Sequence, residues 1–196
     1  MLKRFLDLFL GLLAFLITLP LYPFIMLFIF FDDGHPMFIS LNRISEGKIT
    51  RVYKFRSMVR GAENMKKNLE QFNERKDGPL FKMKNDPRLT FSGKILRKIR
   101  FDELPQLINV LEGRLSLVGP RPHEPEEVDK YPPEFQDLRL AKGGLTGLSQ
   151  ISGASALPFK KELELDKEYL EKQSLWLDIK ILAKTVAVFF FDHTGV

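Results

Sequence analysis

The sequence predicts an α+β fold, in which a small, mostly helical domain with short β-strands follows an apolar N-terminal segment that belongs to a membrane. Three observations predict it. An uncharged apolar run extends from Leu8 to Phe31. Apolar residues recur at helical spacing in several charged segments further along the chain. Short stretches rich in β-branched and aromatic residues, bounded by turn residues, indicate the strands.

Composition narrows the functional class. The 196 residues include 30 Lys plus Arg and 25 Asp plus Glu, a formal net charge of +5. This mild basic excess suits an anionic membrane surface or a phosphate-bearing substrate. It falls far short of the basic stripe of a nucleic-acid-binding protein, and we expect no nucleic-acid partner. The absence of cysteine excludes disulfides, thiolate metal sites and a cysteine nucleophile.

The apolar run is long enough to cross a bilayer as a helix, and a domain of this size could hardly bury it on all sides. Pro20 and Pro23 lie near its middle, and each removes a backbone donor. Two arrangements follow. A kinked helix could span the membrane, which hydropathy alone favours, or a re-entrant hairpin could turn at the prolines and return to the same face.

The rest of the chain gives a succession of short elements. We expect strands at 37–39 and 49–55 joined by a turn at Ser45-Glu46-Gly47. We expect helices at 62–74, 92–100, 104–111, 159–172 and 175–191, a strand and turn within 114–122, and a glycine-rich loop at 143–147. We interpret residues 1–33 as the membrane segment and residues 34–196 as one domain.

The last predicted helix carries an apolar stripe beside Lys180 and Lys184. The stripe comprises Trp176, Ile179, Leu182, Ala183, Val186, Phe189 and Phe190. Such a helix either packs into the core or lies in the headgroup plane, with its lysines reaching toward water. The sequence leaves both interpretations open.

An adjacent carboxylate pair, Asp102 and Glu103, precedes the helix predicted at 104–111. Acidic residues are common in a first helical turn, so helix capping explains the pair without any further function. The pair could also hold Mg²⁺, which prefers oxygen ligands together with substrate phosphates. A carboxylate can in addition act as a covalent nucleophile.

Basic residues in other segments strengthen the interpretation of the pair as a site for a metal ion and phosphate. Arg97 lies just upstream of the pair, Arg121 offers a planar fork suited to phosphate, and Lys54 and Arg56 end a predicted strand. A carboxylate, a divalent ion and converging cations are the parts that phosphoryl transfer requires. The sequence shows no metal-binding histidine pattern, Walker A motif or serine nucleophile elbow.

Five motifs in register along nearly the whole chain carry a family resemblance. They are Lys54-Phe55-Arg56-Ser57-Met58, Asp102-Glu103-Leu104-Pro105-Gln106-Leu107, Ser116-Leu117-Val118-Gly119-Pro120-Arg121-Pro122, Gly144-Leu145-Thr146-Gly147 with Gln150, and Leu165-Asp166 followed by Tyr169. In these motifs the chain resembles the monotopic phosphoglycosyl transferases, the bacterial sugar transferase family that initiates glycan assembly. We expect it to be a minimal core of that family.

The resemblance implies a catalytic domain on a re-entrant membrane helical hairpin with interfacial amphipathic helices, at the cytoplasmic face of the bacterial inner membrane. Asp102 would attack the sugar-linked phosphate of a UDP-sugar and release UMP. Polyprenyl phosphate would then take the phosphosugar from the aspartate, in the first membrane step of glycoconjugate or exopolysaccharide assembly. Asp102 and Glu103 would hold Mg²⁺. Membrane lipids and downstream glycosyltransferases would be further partners.

The resemblance also implies substrate-binding residues. Lys54, Arg56, Arg97 and Arg121 would contact phosphates, and Gln150 would line the substrate site. One departure concerns the loop after Gln150, where Ser152-Gly153-Ala154 lacks an arginine that relatives often carry. Two other hypotheses remain from the sequence: a membrane-anchored scaffold with a degenerate site, and a single-span transferase acting outside the cytosol.

Overall fold

The computed structural model describes residues 1–153 and 156–191, and the side chains only as far as residue 188. Ala154, in the loop after Gln150 that lacks the arginine of relatives, therefore lies outside the described part. So do the side chains of Phe189 and Phe190 in the predicted stripe. The α-helices are α1 Leu2–Thr18, α2 Tyr22–Asp33, α3 Ala62–Leu69, α4 Phe91–Lys98, α5 Gln106–Leu111, α6 Pro125–Val128, α7 Leu148–Ile151, α8 Phe159–Glu171 and α9 Leu175–Phe191. The strands are β1 Phe38–Ser45, β2 Lys48–Phe55, β3 Ser116–Val118 and β4 Gly144–Thr146.

The N-terminal apolar run forms helices α1 and α2, joined by a 3₁₀ turn over Leu19–Leu21. Thr18 and Tyr22, on either side of the turn, both keep right-handed helical dihedral angles. The prolines therefore interrupt the α-helical hydrogen bonds with one tight turn and not with an extended loop. By length and composition, the segment Leu2–Asp33 could cross a membrane.

One face of this long helix packs on the domain, and the rest exposes apolar side chains. Tyr22, Ile25 and Ile29 are buried in a cluster with Phe55 and Leu96. The exposed set comprises Phe5, Leu8, Phe9, Leu12, Leu13, Leu16, Ile17, Leu19, Leu21, Phe24, Leu27, Phe30 and Phe31. So large an apolar surface is far beyond what a soluble monomer exposes and indicates contact with lipid.

The hairpin of strands β1 and β2 carries Lys54, the first of the predicted site residues along the chain. Its antiparallel register runs from Phe38 opposite Phe55 to Ser45 opposite Lys48. Glu46 and Gly47 form the connecting turn with positive φ angles of 54° and 70°. Two left-handed residues match the twist of a two-residue hairpin, so the predicted turn is confirmed. Strand β1 is longer than the predicted 37–39.

The helices predicted from periodicity are present, although several are shorter than predicted. Helix α3 ends at Leu69 and passes into a 3₁₀ turn over Glu70–Phe72, instead of continuing to residue 74. Helix α5 begins at Gln106 and not at residue 104, because a separate 3₁₀ turn occupies Phe101–Glu103. The acidic, proline-rich segment that follows Pro122 forms α6 and a 3₁₀ helix over Pro133–Leu140. The sequence did not predict either helix.

The predicted glycine-rich loop at 143–147 contains a strand instead. Strand β4 pairs in parallel with β3, with Ser116 opposite Gly144 and Val118 opposite Thr146. A Cβ added at Gly144 would lie 2.1 Å from the backbone nitrogen of Gly119. The glycine is therefore required by a close approach of two backbones, a feature that pairing between distant segments creates.

Helix α9 exposes most of the described side chains of its predicted stripe and buries residues outside the stripe. Ile181 is buried in the main core cluster with Val110, Leu117 and Tyr169. Trp176, Ile179 and Val186 are exposed. The helix therefore packs into the core with one face and presents a second apolar face outward, which suits a membrane interface.

Candidate active site

The carboxylate pair lies in the 3₁₀ turn Phe101–Glu103, between helices α4 and α5. Arg100 precedes the turn with a φ of 55°, a left-handed conformation that is unusual for a residue other than glycine. It sends the chain sharply from the end of α4 into the turn. Asp102 is buried, with 5% of its surface exposed. The pair thus lies just before helix α5, as predicted, but within a 3₁₀ turn of its own that the sequence did not predict.

Lys54, near the end of strand β2, contacts both carboxylates. Its Nζ lies 2.8 Å from Glu103 Oε1 and 3.5 Å from Asp102 Oδ2. Strand β2 packs directly on the turn that carries the pair, so the backbone fixes this contact. The structure therefore brings together two predicted groups that are 48 residues apart in the sequence (102 − 54).

Arg121 closes the cluster from the loop that follows strand β3. Its Nη2 lies 3.3 Å from Glu103 Oε1, the same oxygen that Lys54 contacts. The Arg121 guanidinium is nearly half exposed and so remains accessible to a ligand. One carboxylate oxygen thus orients two cations around the buried Asp102.

The two carboxylates have opposite pKa shifts. Burial raises the pKa of Asp102, the charge of Lys54 opposes that rise, and the Glu103 carboxylate adds to it. Burial also acts to raise the pKa of Glu103, but Lys54 and Arg121 outweigh it and hold that pKa well below its usual range. Glu103 is therefore the permanent anion of the pair, while the charge on Asp102 depends on its cationic neighbours.

Arg97 reaches the same region from helix α4. Its Nε donates a hydrogen bond of 3.0 Å to Ser57 Oγ, just beyond strand β2. Its charge acts to lower the pKa of Asp102, although no ion pair joins the two within the part of the chain that the structure describes. Arg97 thus lies close to the carboxylates without being neutralised by them.

Arg56 is held elsewhere. Its guanidinium donates to the backbone carbonyls of Asp33 and Gly34 at 2.9 and 2.7 Å and pairs with the Asp33 carboxylate at 3.1 Å. It is buried at the C-terminal end of helix α2, where a cation stabilises the last carbonyls. In this structure the Arg56 side chain joins the end of the membrane helix to the residue that follows strand β2, and its predicted phosphate contact stays a prediction.

Gln150 lies in helix α7, close to the loop that carries Arg121. Its Oε1 lies 3.2 Å from Ser149 Oγ, whose single proton goes to Asp166 at 2.7 Å, and its buried Nε2 has no partner within the described residues. A Cβ added at Gly147 would lie 2.5 Å from that Oε1. The side chain is thus packed against the glycine-rich segment and retains one unused donor.

The sequence did not reveal the role of Asp166 in supporting this loop. Its Oδ2 accepts from the Arg121 backbone N–H at 3.3 Å, and its Oδ1 accepts from Ser149 Oγ at 2.7 Å. Burial raises the pKa of Asp166 to about 7. In the sequence Asp166 belongs to one of the family motifs and to a strongly charged helix. Nothing in that sequence distinguishes a buried carboxylate from an exposed one.

Among the described residues no group of three or more acidic, histidine or cysteine side chains converges to hold a metal. The Asp102–Glu103 pair offers carboxylate oxygens at this site. Mg²⁺ is commonly held by one or two carboxylates and completes its shell with water and substrate phosphates. Asp102 Oδ1 and Glu103 Oε2 form no ion pair within the described chain, so the pair fits a metal held in that way.

The fold and the site together define a membrane-associated protein whose carboxylate pair is surrounded by cations suited to phosphate. Comparison with known proteins agrees: residues 1–192 match the family model described as bacterial sugar transferase. The chain belongs to the bacterial sugar transferase family.

Three relatives illustrate the match. The galactosyl transferase CpsE of Streptococcus agalactiae is 44% identical over 95% of this chain and 41% of the relative. The undecaprenyl-phosphate galactose phosphotransferase of Salmonella typhimurium is 38% identical over 95% of this chain and 40% of the relative. The exopolysaccharide production protein ExoY of Sinorhizobium fredii is 34% identical over 94% of this chain and 83% of the relative. The chain thus spans about two fifths of the first two relatives and most of the third.

Proposed function

We propose that the protein is a phosphoglycosyl transferase, which moves a sugar phosphate from a UDP-sugar to polyprenyl phosphate and releases UMP. The observation that carries the proposal is the buried Asp102 carboxylate beside Lys54, with Arg121 held nearby on Glu103. This arrangement supplies a nucleophile and cations for phosphate in one place. The name of the Salmonella relative contains the same type of acceptor, undecaprenyl phosphate.

In the first step an Asp102 oxygen attacks the sugar-linked phosphorus of the UDP-sugar. A bond forms between that oxygen and phosphorus, the bond from phosphorus to the bridging oxygen breaks, and UMP leaves with the electron pair. In the second step a phosphate oxygen of polyprenyl phosphate attacks the same phosphorus. The aspartyl bond breaks, Asp102 returns as a carboxylate, and the product is a polyprenyl diphosphate sugar.

The cations have defined tasks in both steps. Lys54 opposes the effect of burial on the pKa of Asp102, so it favours the carboxylate form that can attack phosphorus. Arg121 has an accessible planar fork that suits the oxygens of the transferred phosphate. Arg97 adds positive charge from the other side. Asp102 and Glu103 would hold Mg²⁺, which would neutralise charge on the diphosphate.

A re-entrant membrane segment is part of the proposal, and contacts at both ends of the long helix support it. Near the start of α1, Lys3 Nζ pairs with Asp178 Oδ2 at 2.7 Å, and Asp7 accepts hydrogen bonds from Ser116 and Leu117. At the end of α2, Asp33 pairs with Arg56 at 3.1 Å. Both ends thus contact one domain, whereas a spanning helix would place its ends on opposite sides of the membrane.

The same face of the membrane then carries the whole site. Since UDP-sugars are cytosolic, the proposed location is the cytoplasmic face of the bacterial inner membrane, with membrane lipids around α1, α2 and α9. The product would pass to downstream glycosyltransferases. The printed name of the Sinorhizobium relative, an exopolysaccharide production protein, supports a place in exopolysaccharide or glycoconjugate assembly.

The test measures UMP release from a panel of UDP-sugars by the full chain in nanodiscs, with polyprenyl phosphate and Mg²⁺. UDP-galactose belongs in the panel because galactose occurs in the name of the Salmonella relative. We expect release from at least one sugar, its abolition by Asp102→Asn and by chelator, and normal release by Asp137→Asn, which changes an exposed carboxylate. Full turnover by Asp102→Asn would overturn the nucleophile, and a folded protein inactive on every sugar would overturn the enzymatic proposal.

A further inference from the structure

A second basic feature lies beside the site, in a cavity of about 240 Å³ between the segment before α4 and α4 itself. Its lining comprises Lys84, Asn85, Asp86, Pro87, Leu89, Lys94 and Arg97. Asn85-Asp86-Pro87 is a typical turn sequence. The structure places three cations from two separate segments around one concavity.

The three cations of this cavity outnumber the single carboxylate in its wall. The one acidic lining residue, Asp86, is occupied by Arg88, whose Nη2 and Nε lie 2.6 and 2.9 Å from its two carboxylate oxygens. Lys84 and Lys94 form no ion pair within the part of the chain that the structure describes. Glu74 approaches Lys84 only through a 2.9 Å bond to its backbone N–H. Such a wall attracts an anion.

Arg97 belongs both to this cavity and to the carboxylate site. It lines the cavity, and its charge acts on the pKa of Asp102. Its hydrogen bond to Ser57 fixes the guanidinium between the two regions. An anion bound against Lys84 and Lys94 would therefore lie next to the proposed nucleophile.

Helix α4 places the cavity at the lipid boundary. Phe91 and Ile95 of α4 are 67% and 39% exposed, and the Phe91 ring packs on Phe28 of the membrane helix at 6.2 Å. The Asp32 carboxylate accepts from the Ser92 backbone N–H at 2.7 Å and fixes α4 to the end of α2. Lys94 lies on the same helix between the two exposed apolar side chains. A cation in that position suits a lipid phosphate at headgroup depth.

We propose that this cavity binds the phosphate monoester headgroup of a membrane lipid, with Lys84, Lys94 and Arg97 as its cationic ligands. In terms of the proposed function, on which this assignment rests, it is the docking site of the lipid acceptor. The cavity is smaller than the roughly 300–1,000 Å³ of pockets that enclose drug-sized ligands. It therefore suits a headgroup whose chain stays in the bilayer, and not a whole nucleotide sugar.

A binding experiment tests the proposal without requiring turnover. The full chain in detergent is titrated with undecaprenyl phosphate, with undecaprenol and with UMP, and each bound species is quantified by native mass spectrometry. We expect Lys84→Ala with Lys94→Ala to raise the apparent Kd for undecaprenyl phosphate roughly tenfold, which is the size expected for two lost ion pairs at solvent-exposed lysines. Binding of undecaprenol and of UMP should not change.

Two further variants serve as controls. Lys98→Ala removes an exposed cation of the same helix that does not line the cavity, and its Kd should match that of the unmodified chain. Lys94→Arg keeps the charge and should largely preserve binding. Weakened UMP binding with unchanged lipid binding would assign the cavity to the nucleotide and overturn the proposal. Unchanged binding of every ligand by a folded double variant would also overturn it. Undecaprenyl phosphate binding that depends on Lys84 and Lys94, in an unmodified chain that turns over no UDP-sugar, would support this site and overturn only the proposed reaction.

Discussion

Lys54 Nζ lies 2.8 Å from Glu103 Oε1, and this contact links strand β2 to the turn that carries both carboxylates. The same nitrogen lies 3.5 Å from Asp102 Oδ2. Lys54 is therefore shared between a permanent anion and a carboxyl group whose burial raises its pKa. The division of roles within the pair depends on this one cation.

Replacing Lys54 with methionine should change the pH dependence of activity as well as its size. Without the lysine charge the pKa of Asp102 rises further, so the reactive carboxylate forms only at higher pH. We expect kcat near neutral pH to fall on the order of 10²-fold, and the acid limb of the kcat profile to move to higher pH. The measurement is UMP release across pH.

Lys54→Arg and Lys48→Met are the controls for that change. Arginine keeps the charge, and its acid limb should stay closer to that of the unmodified protein. Lys48 lies at the exposed opposite end of the same strand and should be neutral. A uniform loss of activity at every pH, with no movement of the acid limb, would contradict the role of Lys54.

Asp166→Asn should make stability less dependent on pH. Burial raises the pKa of Asp166 from 3.8 to about 7, so the folded state retains a proton that the unfolded chain releases. This contribution to stability is fully present below about pH 4 and is lost as pH rises toward about 7. Between those values the unmodified protein should lose more thermal stability than Asp166→Asn, as measured by unfolding in detergent. Parallel profiles for the two proteins would exclude a raised pKa.

Engineered cysteines should locate both ends of the long helix on one side of the membrane. The chain has no cysteine, so single substitutions give an unambiguous signal. We expect Leu2→Cys and Glu63→Cys to react with a polar thiol reagent from the same side, in inverted vesicles and not in intact cells. Leu16→Cys, exposed in the middle of the apolar run, should resist the reagent because lipid covers it. Labelling of Leu2→Cys and Glu63→Cys from opposite sides would establish a spanning helix.

The pair between Lys3 and Asp178 should stabilise the attachment of helix α1 to the domain. Asp178 is fully buried, and its other oxygen accepts from the Tyr169 hydroxyl at 2.6 Å. Lys3→Met leaves a buried carboxylate without its counter-ion, a change that typically costs about 3–5 kcal/mol. We expect a clear fall in thermal stability in detergent.

A second variant separates charge from packing in that experiment. Lys3→Met combined with Asp178→Leu removes the isolated charge and should recover much of the lost stability. Lys172→Met, which breaks the exposed pair with Glu168, should have little effect. If the double variant were less stable than Lys3→Met alone, the buried charge would not be the cause.

The sequence alone predicted the principal helices, because their signals are local, and it named residues that the structure brings together, namely Lys54, Asp102, Glu103 and Arg121. Helix α9 has the predicted bounds, and the turn at Glu46 and Gly47 was indicated by Gly47, a residue that adopts positive φ without steric cost. Adjacent carboxylates such as Asp102 and Glu103 are visible in the sequence as a pair. Their chemical character also indicated phosphate and a divalent ion as ligands.

Strand β4 could not be predicted in this way. Its three residues carry no strand pattern, and it exists because β3 lies beside it and because Gly144 lets the Gly119 backbone approach closely. Pairing between segments so distant in the chain depends on how the intervening helices fold back. A glycine-rich stretch is therefore read locally as a loop, although in the fold it is part of a sheet.

The destination of each charged side chain was likewise decided by the tertiary structure. Lys54 and Arg56 are two residues apart at the end of strand β2, yet Lys54 contacts the carboxylates and Arg56, just past the strand, binds the end of helix α2. In the sequence Asp166 is one of several acidic residues in α8, and only the fold shows that its carboxylate accepts a hydrogen bond from the Arg121 backbone. A sequence determines which charges exist and which segments are apolar. Only the packed chain determines which charges meet, because burial and distance set their interaction and depend on every neighbouring element.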